Sequence, residues 1–366
     1  MRIPSKLYYL KARLTNENGK IPILPRYKRG VRSKFKMLKI KKHDSYNQDY
    51  INKSREFLSK NFKGYKDLSW NKYYSFSNGK FDCNYIPRDL YTLYIEPNLN
   101  NHKLATATSD KCFLDILFGK DSVLPFIGKF TNKFFYDENN LIVSKEKLKE
   151  NILSSNKNIV AKKAIGSAQG RGVFFLSPKE CIDFLDNLKQ NETYVFQFEF
   201  KQAKELANFH PSSLNTVRVT SLRLKDKIVI CSCYFRLGKN NSRVDNASAR
   251  GIYCGVSKEG VITEKAYDNH CNTYDKHPTS NVEFKNFKIP NFEKIKDFTI
   301  KKHHYLQNFS IVSWDITLDE SLEPKIVEIN LKDQAVNPHQ VANGALFGEY
   351  TEEVLELLRD RENSKR

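Results

Sequence analysis

The stretch FSIVSWDITLDESLEPKIVEIN, residues 309–330, carries the pattern from which the fold can be read. Val312, Trp314, Ile316 and Leu318 alternate with Ser313, Asp315 and Thr317, the period of a strand with one apolar and one polar face. Beyond a turn, Val327 and Ile329 are apolar, while Glu328 and Asn330 share the opposite face. With Leu318 set opposite Lys325, Asp315 faces Glu328 and Ser313 faces Asn330 across a hairpin. A slip of one residue would set Asp315 against Val327 and mix the faces, so the alternation favours the first register. One face then holds two carboxylates and an amide. Like charges at cross-strand distance repel unless a cation compensates them. Hard oxygen donors of this kind suit Mg²⁺, whose shell nucleotide phosphates often complete. The plainer reading is a polar face turned to solvent.

Upstream, IVAKKAIGSAQGRGVFFL (159–176) reads as strand, glycine-rich turn, strand. Such a turn can lay backbone N–H groups over phosphates, or it can be only a tight hairpin. A helix over 178–190 and a strand over 194–200 follow. Earlier, SDKCFLDILF (109–118) predicts a helix capped by Asp110. A further helix is expected near 50–61, with loop signals at Ser77-Asn78-Gly79 and Pro87. Residues 217–224 and 228–237 predict a hairpin turning at Lys225-Asp226-Lys227. Strands over 309–318 and 324–330 and a helix over 351–361 close the chain. This order predicts an α+β architecture, not a doubly wound βαβ sheet.

Between these regions lie dense polar blocks: HPSSLNTVRVTSLRL (210–224), YFRLG (234–238), RVDNASARG (243–251) and YDKHP (274–278). Arg218 and Arg236 fall on adjacent strands among apolar neighbours. An inward arginine needs an anionic partner, and its planar fork suits phosphate or carboxylate. The bland alternative for each is a structural salt bridge.

Taken together, these blocks resemble the ATP-grasp superfamily. Asp315, Glu328 and Asn330 resemble its metal-binding signature. Asn215-Thr216 with Arg218, Arg236-Leu237-Gly238, Asp245-Asn246, His277-Pro278 and Trp314-Asp315 are similar, in this order, to its sugar-transfer-associated branch. That branch shares features with teichuronopeptide-biosynthesis ATP-grasp proteins. The resemblance runs from about Trp70 to about Tyr350, and Arg250 and Lys163 stand where the pattern tends to have Gly and Pro. It implies two α+β lobes clasping ATP, preceded by a basic α-rich region. The expected divisions are an N-terminal region over 1–105, an N-lobe with the flap over 106–196, and a C-lobe over 197–366.

By the same resemblance, Asp315, Glu328 and Asn330 hold Mg²⁺, and Lys111 and Lys162 contact the ATP phosphates. Gly166, Ser167, Gly170 and Gly172 form the flap, and Gln197, Phe198, Glu199 and Phe200 form the hinge that reads adenine and ribose. Arg218 stabilises the transferring phosphoryl group, and Arg236 meets the acceptor carboxylate. Asn215, Thr216, Asp245, Asn246 and His277 line the acceptor side. The implied reaction joins a carboxylate to an amine through an acylphosphate, asking the protein mainly for positioning and charge. The implied acceptor is a uronic-acid-containing sugar of surface-polysaccharide assembly, amidated by an amino acid or other amine. The rivals are an ATP-grasp kinase acting on a sugar hydroxyl and a non-catalytic nucleotide-binding scaffold.

Composition bounds these readings. The formal charge is +19, from 61 Lys and Arg against 42 Asp and Glu. Residues 1–42 hold 14 of the basic residues and one acid, Glu17. Ile3, Leu7, Leu10 and Leu14 recur at helical spacing there, beside Tyr8. Such a segment fits the anionic face of a membrane, a polyanionic glycan or nucleic acid, or else a basic helix packed on its own domain. The chain has no zinc-finger or RNA-binding signature, which disfavours nucleic acid. Seven cysteines without a CxxC pair predict a reduced protein. Without a signal-like N-terminus or an apolar run of about 18 residues, the expected location is the cytoplasm, extending to the inner membrane face if the basic arm binds lipid.

Overall fold

The computed structural model describes residues 25–39, 47–62, 64–166, 172–245 and 251–363. Two antiparallel sheets organise them. The first contains β1 (Phe126–Thr131), β2 (Phe134–Asp137), β3 (Ile142–Val143), β4 (Ile159–Lys163), β5 (Val173–Leu176) and β6 (Tyr194–Phe198), in the spatial order β3-β2-β1-β6-β4-β5. The second contains β7 (Thr216–Arg223), β8 (Ile228–Leu237), β9 (Ile252–Val256), β10 (Ile262–Asp268), β11 (Thr273–Tyr274), β12 (Ile311–Leu318) and β13 (Pro324–Asn330), in the order β11-β10-β9-β8-β7-β12-β13. The α+β expectation holds, and no crossover of the βαβ kind occurs in either sheet.

Alternation along the strands decides which face of each sheet stays open. On β4, Ile159 and Ala161 bury against Leu148 and Ile152 of the helix Lys145–Ser155 and Cys181 and Leu185 of the helix Pro178–Asp186. Val160 and Lys162 therefore point the other way, into a cleft. Both helices begin as their sequences dictate: Ser144 Oγ accepts from Lys147 N–H, and Ser177 forms a reciprocal capping box with Glu180. The second of these ends at Asp186, short of the expected 190.

In the second sheet, Val217, Val219, Phe235, Val312, Trp314 and Ile316 form the main core with Phe292 and Ile295 of the helix Phe292–His303. The opposite face is apolar only at its far end. There Leu222, Leu224 and Ile311 pack against Tyr50, Leu58, Tyr91 and Ile95, and against Leu355 and Leu358 of the helix Thr351–Asn363. The helices between Gln48 and Leu99 thus share their core with the C-terminal strands. The remaining stretch of that face, around Arg218, Arg236 and Asp315, is polar and lines the same cleft as Lys162. All seven cysteines are free, and among the described residues no helix is long and apolar enough to cross a membrane.

One buried ion pair ties the segment carrying Lys111 to the first sheet. Asp110 accepts from Cys112 N–H as the capping pattern predicts, although the turn is a 3-10 helix (Lys111–Phe113) before the helix Leu114–Phe118. Lys129 Nζ on β1 donates to Cys112 O at 2.6 Å, Asp115 Oδ1 at 2.5 Å and Asn140 Oδ1 at 2.6 Å. The two side chains of the Lys129–Asp115 pair are 3% and 2% exposed. Removing one partner strands a buried charge, so Lys129→Met should cost about 3–5 kcal/mol in urea unfolding. Lys129→Met paired with Asp115→Leu should recover most of that loss, which a four-state cycle would read.

Candidate functional site

The two open faces enclose a cleft of about 2240 Å³. Its centre is the hairpin of β12 and β13. Asp315 stands opposite Glu328 and Ser313 opposite Asn330, as the alternation requires. Toward the turn the register differs from the sequence expectation: Leu318 pairs with Pro324 rather than Lys325, and Ile316 with Ile326. Val327 is the extra residue of a β-bulge, which shifts the ladder by one and keeps Glu328 on the Asp315 face.

The charges on this face are compensated by the protein. Asp315 is the cross-strand partner of Arg218, and Thr216 that of Arg236. Asp315 accepts from Arg218 Nε, from Arg218 Nη2 at 2.8 Å and from Arg236 Nη1 at 2.5 Å. Burial alone would raise the Asp315 pKa, but the two guanidinium groups outweigh it and hold the carboxyl well below the usual carboxylate range. Glu328 Oε2 lies 3.4 Å from Lys111 Nζ. The polar face is therefore neither solvent-turned nor in need of a metal ion to relieve repulsion, which corrects that part of the sequence argument.

The donor set still fits a hard divalent cation. Asp315, Glu328 and Asn330 present only oxygen-bearing side chains on one face. The Asn330 Nδ2 atom is buried without a partner, so no protein bond fixes that amide and its oxygen can turn to the cleft. Two carboxylates and an amide make up this set, and among the described residues no group of three His, Cys, Asp or Glu side chains is placed to hold a metal ion, here or elsewhere.

Arg236 Nη2 also donates to Asp245 Oδ1 at 2.9 Å, and Thr216 Oγ1 donates to Asp245 Oδ2. Burial pushes the Asp245 carboxyl up to about 6 against the pull of Arg236. Gly251 allows this approach, since a Cβ there would lie 2.4 Å from the Asp245 carbonyl oxygen. Lys162 and Lys111 line the cleft together. Burial, with Lys111 as a neighbouring charge, lowers the Lys162 pKa to about 8. Lys163, its neighbour, is exposed on the other side of the strand and packs against Gly172, whose φ is +79°. Gly166 (φ +70°) lines the cleft, whereas Ser167, Gly170, Asn246 and Arg250 lie outside the described residues.

The hinge residues Gln197, Phe198, Glu199 and Phe200 all line the cleft, with a qualification on how they could read a base. The N–H groups of Phe198 and Glu199 are spent on the carbonyls of Pro125 and Asn158. Glu199 is paired with Arg243, which lies 3.9 Å over the Phe175 ring, and it accepts from Asn158 Nδ2 at 2.8 Å. The buried Gln197 Oε1 has no partner and can accept from a ligand N–H.

Two expected acceptor residues are elsewhere. Asn215 is fully buried, donating to Leu206 O and His210 O, and His277 gives Nε2 to Gly238 O while Nδ1 receives Thr279 and Ser280 N–H. Neither lines the cleft; both hold loops, because their polar atoms are taken up by backbone groups and, at Asn215 Oδ1, by the Ser213 hydroxyl. Tyr234, in contrast, lines the cleft and was not anticipated. It stands two residues before Arg236 on β8, so strand alternation was a usable signal. His339 backs it edge-on with ring centroids 4.5 Å apart. Its nitrogens meet Thr220 Oγ1 at 3.0 Å and Ser232 Oγ at 2.7 Å, and burial lowers its pKa to about 3, leaving it neutral beside Arg218.

No curated protein matches the chain. Among solved structures it is similar to the ATP-grasp ligase PsnB complexed with minimal precursor, at 12% identity over 72% of this chain and 64% of that one, with a TM-score of 0.40. It is also similar to the biotin carboxylase domain of the 2-oxoglutarate carboxylase of Hydrogenobacter thermophilus (11% identity, 70% and 46%, TM-score 0.41). A third is the N5-carboxyaminoimidazole synthase of Aspergillus clavatus (12% identity, 70% and 54%, TM-score 0.40). The chain covers less than two thirds of the length of these structures. Residues 94–355 match the sugar-transfer-associated ATP-grasp family, beginning later than the Trp70 at which the resemblance was expected to start. That match spans the first sheet, the polar face of the second and every strand of the cleft, and the chain belongs to this family.

Proposed function

We propose that the protein is an ATP- and Mg²⁺-dependent ligase that joins a carboxylate to an amine. The observation that carries the reading is the convergence of Lys111, Lys162, Arg218 and Arg236 with Asp245, Asp315 and Glu328 on one cleft between two sheets. Four cations against three carboxylates leave room for the anionic phosphates of ATP, and the arginines are held by Asp315 before any ligand arrives. Preorganised charge of this kind is what phosphoryl transfer asks of a protein.

In the proposed sequence, Lys111 and Lys162 bind the ATP phosphates, and Gln197 Oε1 accepts from the base. Asp315, Glu328 and Asn330 would hold a magnesium ion through their side-chain oxygens, and that ion would supply positive charge at the ATP phosphates. Arg236, and Arg218 beside it, orient the acceptor carboxylate in line with the γ-phosphorus. A carboxylate oxygen forms the new P–O bond as the bond to the β-phosphate oxygen breaks and ADP leaves. The amine nitrogen then attacks the acyl carbon, phosphate departs with the oxygen that joined them, and the nitrogen loses its proton. The acceptor class we infer is a sugar carrying a uronic acid, and the amine is an amino acid or related compound; the family description supports the association with sugar transfer.

Mass spectrometry after incubation with Mg²⁺-ATP and pooled uronic-acid sugars, with and without pooled amino acids, tests this reading. ADP, phosphate and an amide mass that need both pools are expected. A phosphorylated sugar formed without amine would instead make the protein a kinase.

A pH effect follows from Lys162. Its charge attracts the phosphates, and it is lost as pH rises through about 8. Affinity for ATP should therefore weaken across that range by about tenfold, the bound nucleotide shifting the transition upward. Lys162→Met should bind about tenfold more weakly at pH 7 and show no such transition in calorimetric titrations.

A further inference from the structure

The helix Pro25–Met37, PRYKRGVRSKFKM, carries six basic residues and no acid. Tyr27 and Val31, one turn apart, bury in an aromatic cluster with Trp70, Tyr73 and Tyr74, and with Tyr234 and Tyr253 of the second sheet. Tyr234 is the cross-strand partner of Arg218 and lines the cleft. The basic helix is thereby seated at one end of the proposed active-site cleft, and Lys34 reaches its lining. Arg88, just after Pro87, lines the same end, its guanidinium 5.9 Å from the centre of the Tyr27 ring.

Arg88 lies close enough to Lys34 to disfavour the charge on that lysine. Burial lowers the Lys34 pKa, and Arg88 adds to that against Cys271 and Asp268. The carboxylates nearby are occupied. Asp89 is buried and accepts from Tyr65 Oη at 2.7 Å. Asp268 accepts from Lys239, Asn272 and Tyr274. Among the described residues neither Lys34 nor Arg88 forms an ion pair. Lys34 Nζ donates to the Asn269 carbonyl. Two cations gathered at a cleft mouth without a carboxylate between them suit an anionic ligand group. Both precede residue 94, where the family match begins.

We propose that Lys34 and Arg88 form a second anion subsite of the acceptor, taking a phosphate or carboxylate other than the carboxylate that reacts. The inference rests on the ligase reading for its acceptor class. It predicts an acceptor with at least two anionic groups, a nucleotide-linked uronic acid or an oligomer of them. The basic helix then serves sugar recognition.

The test is calorimetric titration of the full chain with its nucleotide site filled by a non-hydrolysable ATP analogue. The probes are glucuronic acid, UDP-glucuronic acid and trigalacturonic acid. One of the two larger probes should bind about tenfold more tightly than the monosaccharide, and Lys34→Gln and Arg88→Gln should each remove about five- to tenfold of that affinity. Binding of the ATP analogue should be unchanged. Lys36→Gln, exposed on the same helix and outside the cleft, should change nothing. The probe that responds tells a diphosphate from an added carboxylate. Equal weakening by Lys36→Gln, no effect of the two cleft variants, or no tight binding of either larger probe would overturn the proposal. Failure of the ligase reading would show instead as intact variant-sensitive binding with no amide product.

Discussion

Arg218→Met should destabilise the protein by about 3–5 kcal/mol and abolish amide formation. The side chains of Arg218 and Asp315 are 9% and 3% exposed, so the charge left on Asp315 cannot be recovered by water. Arg236 keeps a single bond to it, which limits the loss without cancelling it. Arg218→Lys should rescue little, because an ammonium cannot reproduce the two-point contact of Nε and Nη2. The effect has a defined pH dependence. Asp315 is held below the usual carboxylate range, so its stabilisation is full above about pH 4 and fades as acid protonates the native carboxylate. Urea midpoints of wild type and variant should therefore differ most near neutrality and converge on acidification.

The second large effect concerns Glu328. Its side chain is 31% exposed, and its partner Lys111 stands 3.4 Å away at the cleft wall. Glu328→Gln keeps the shape and should leave stability within about 1 kcal/mol of wild type. Turnover should fall by about 10³-fold, roughly 4 kcal/mol of barrier, because a neutral amide would hold the proposed magnesium ion at the transferring phosphates less firmly. Single-turnover ADP formation, read beside a thermal melt, separates the two quantities. A variant that melts normally and still turns over would remove Glu328 from the chemistry.

The contrast between these two carboxylates explains what could be read from the chain. Strict alternation in 312–318 and 327–330 made the hairpin legible, and it put Asp315 and Glu328 on one face correctly. The bulge at Val327 was not legible, since one extra residue leaves the local hydropathy pattern intact while shifting every pairing toward the turn. Arg218 and Arg236 were recognisable as inward cations, but their partner was not, because pairing across β7, β8 and β12 joins residues about 80 to 100 positions apart. A metal ion stood in the argument where the arginines stand in the fold.

Elsewhere the misses share a cause. Asn215 and His277 sit in polar blocks that look like ligand-binding loops, yet their polar atoms bind loop backbone, nearby in the chain or, for His277 and the Gly238 carbonyl, 39 residues away. Nothing in residue type distinguishes those uses. The strands β1 to β3 and the helix Phe292–His303 were not anticipated either. The former are short, from two to six residues, and the latter has only a weak stripe built on Phe292 and Ile295. The basic N-terminal segment announced its charge, but its docking on Tyr234 through Tyr27 and Val31 depends on an aromatic cluster drawn from four separated stretches.

The most direct test of the carboxylate–amine ligase account follows one oxygen atom. A uronic acid labelled with ¹⁸O in its carboxylate, incubated with Mg²⁺-ATP and the amine that supports turnover, should yield amide and free phosphate carrying one ¹⁸O per molecule. Glu328→Gln should yield neither. Phosphate released without the label, or retained on the sugar as an ester while the carboxylate keeps both labelled oxygens, would contradict the account.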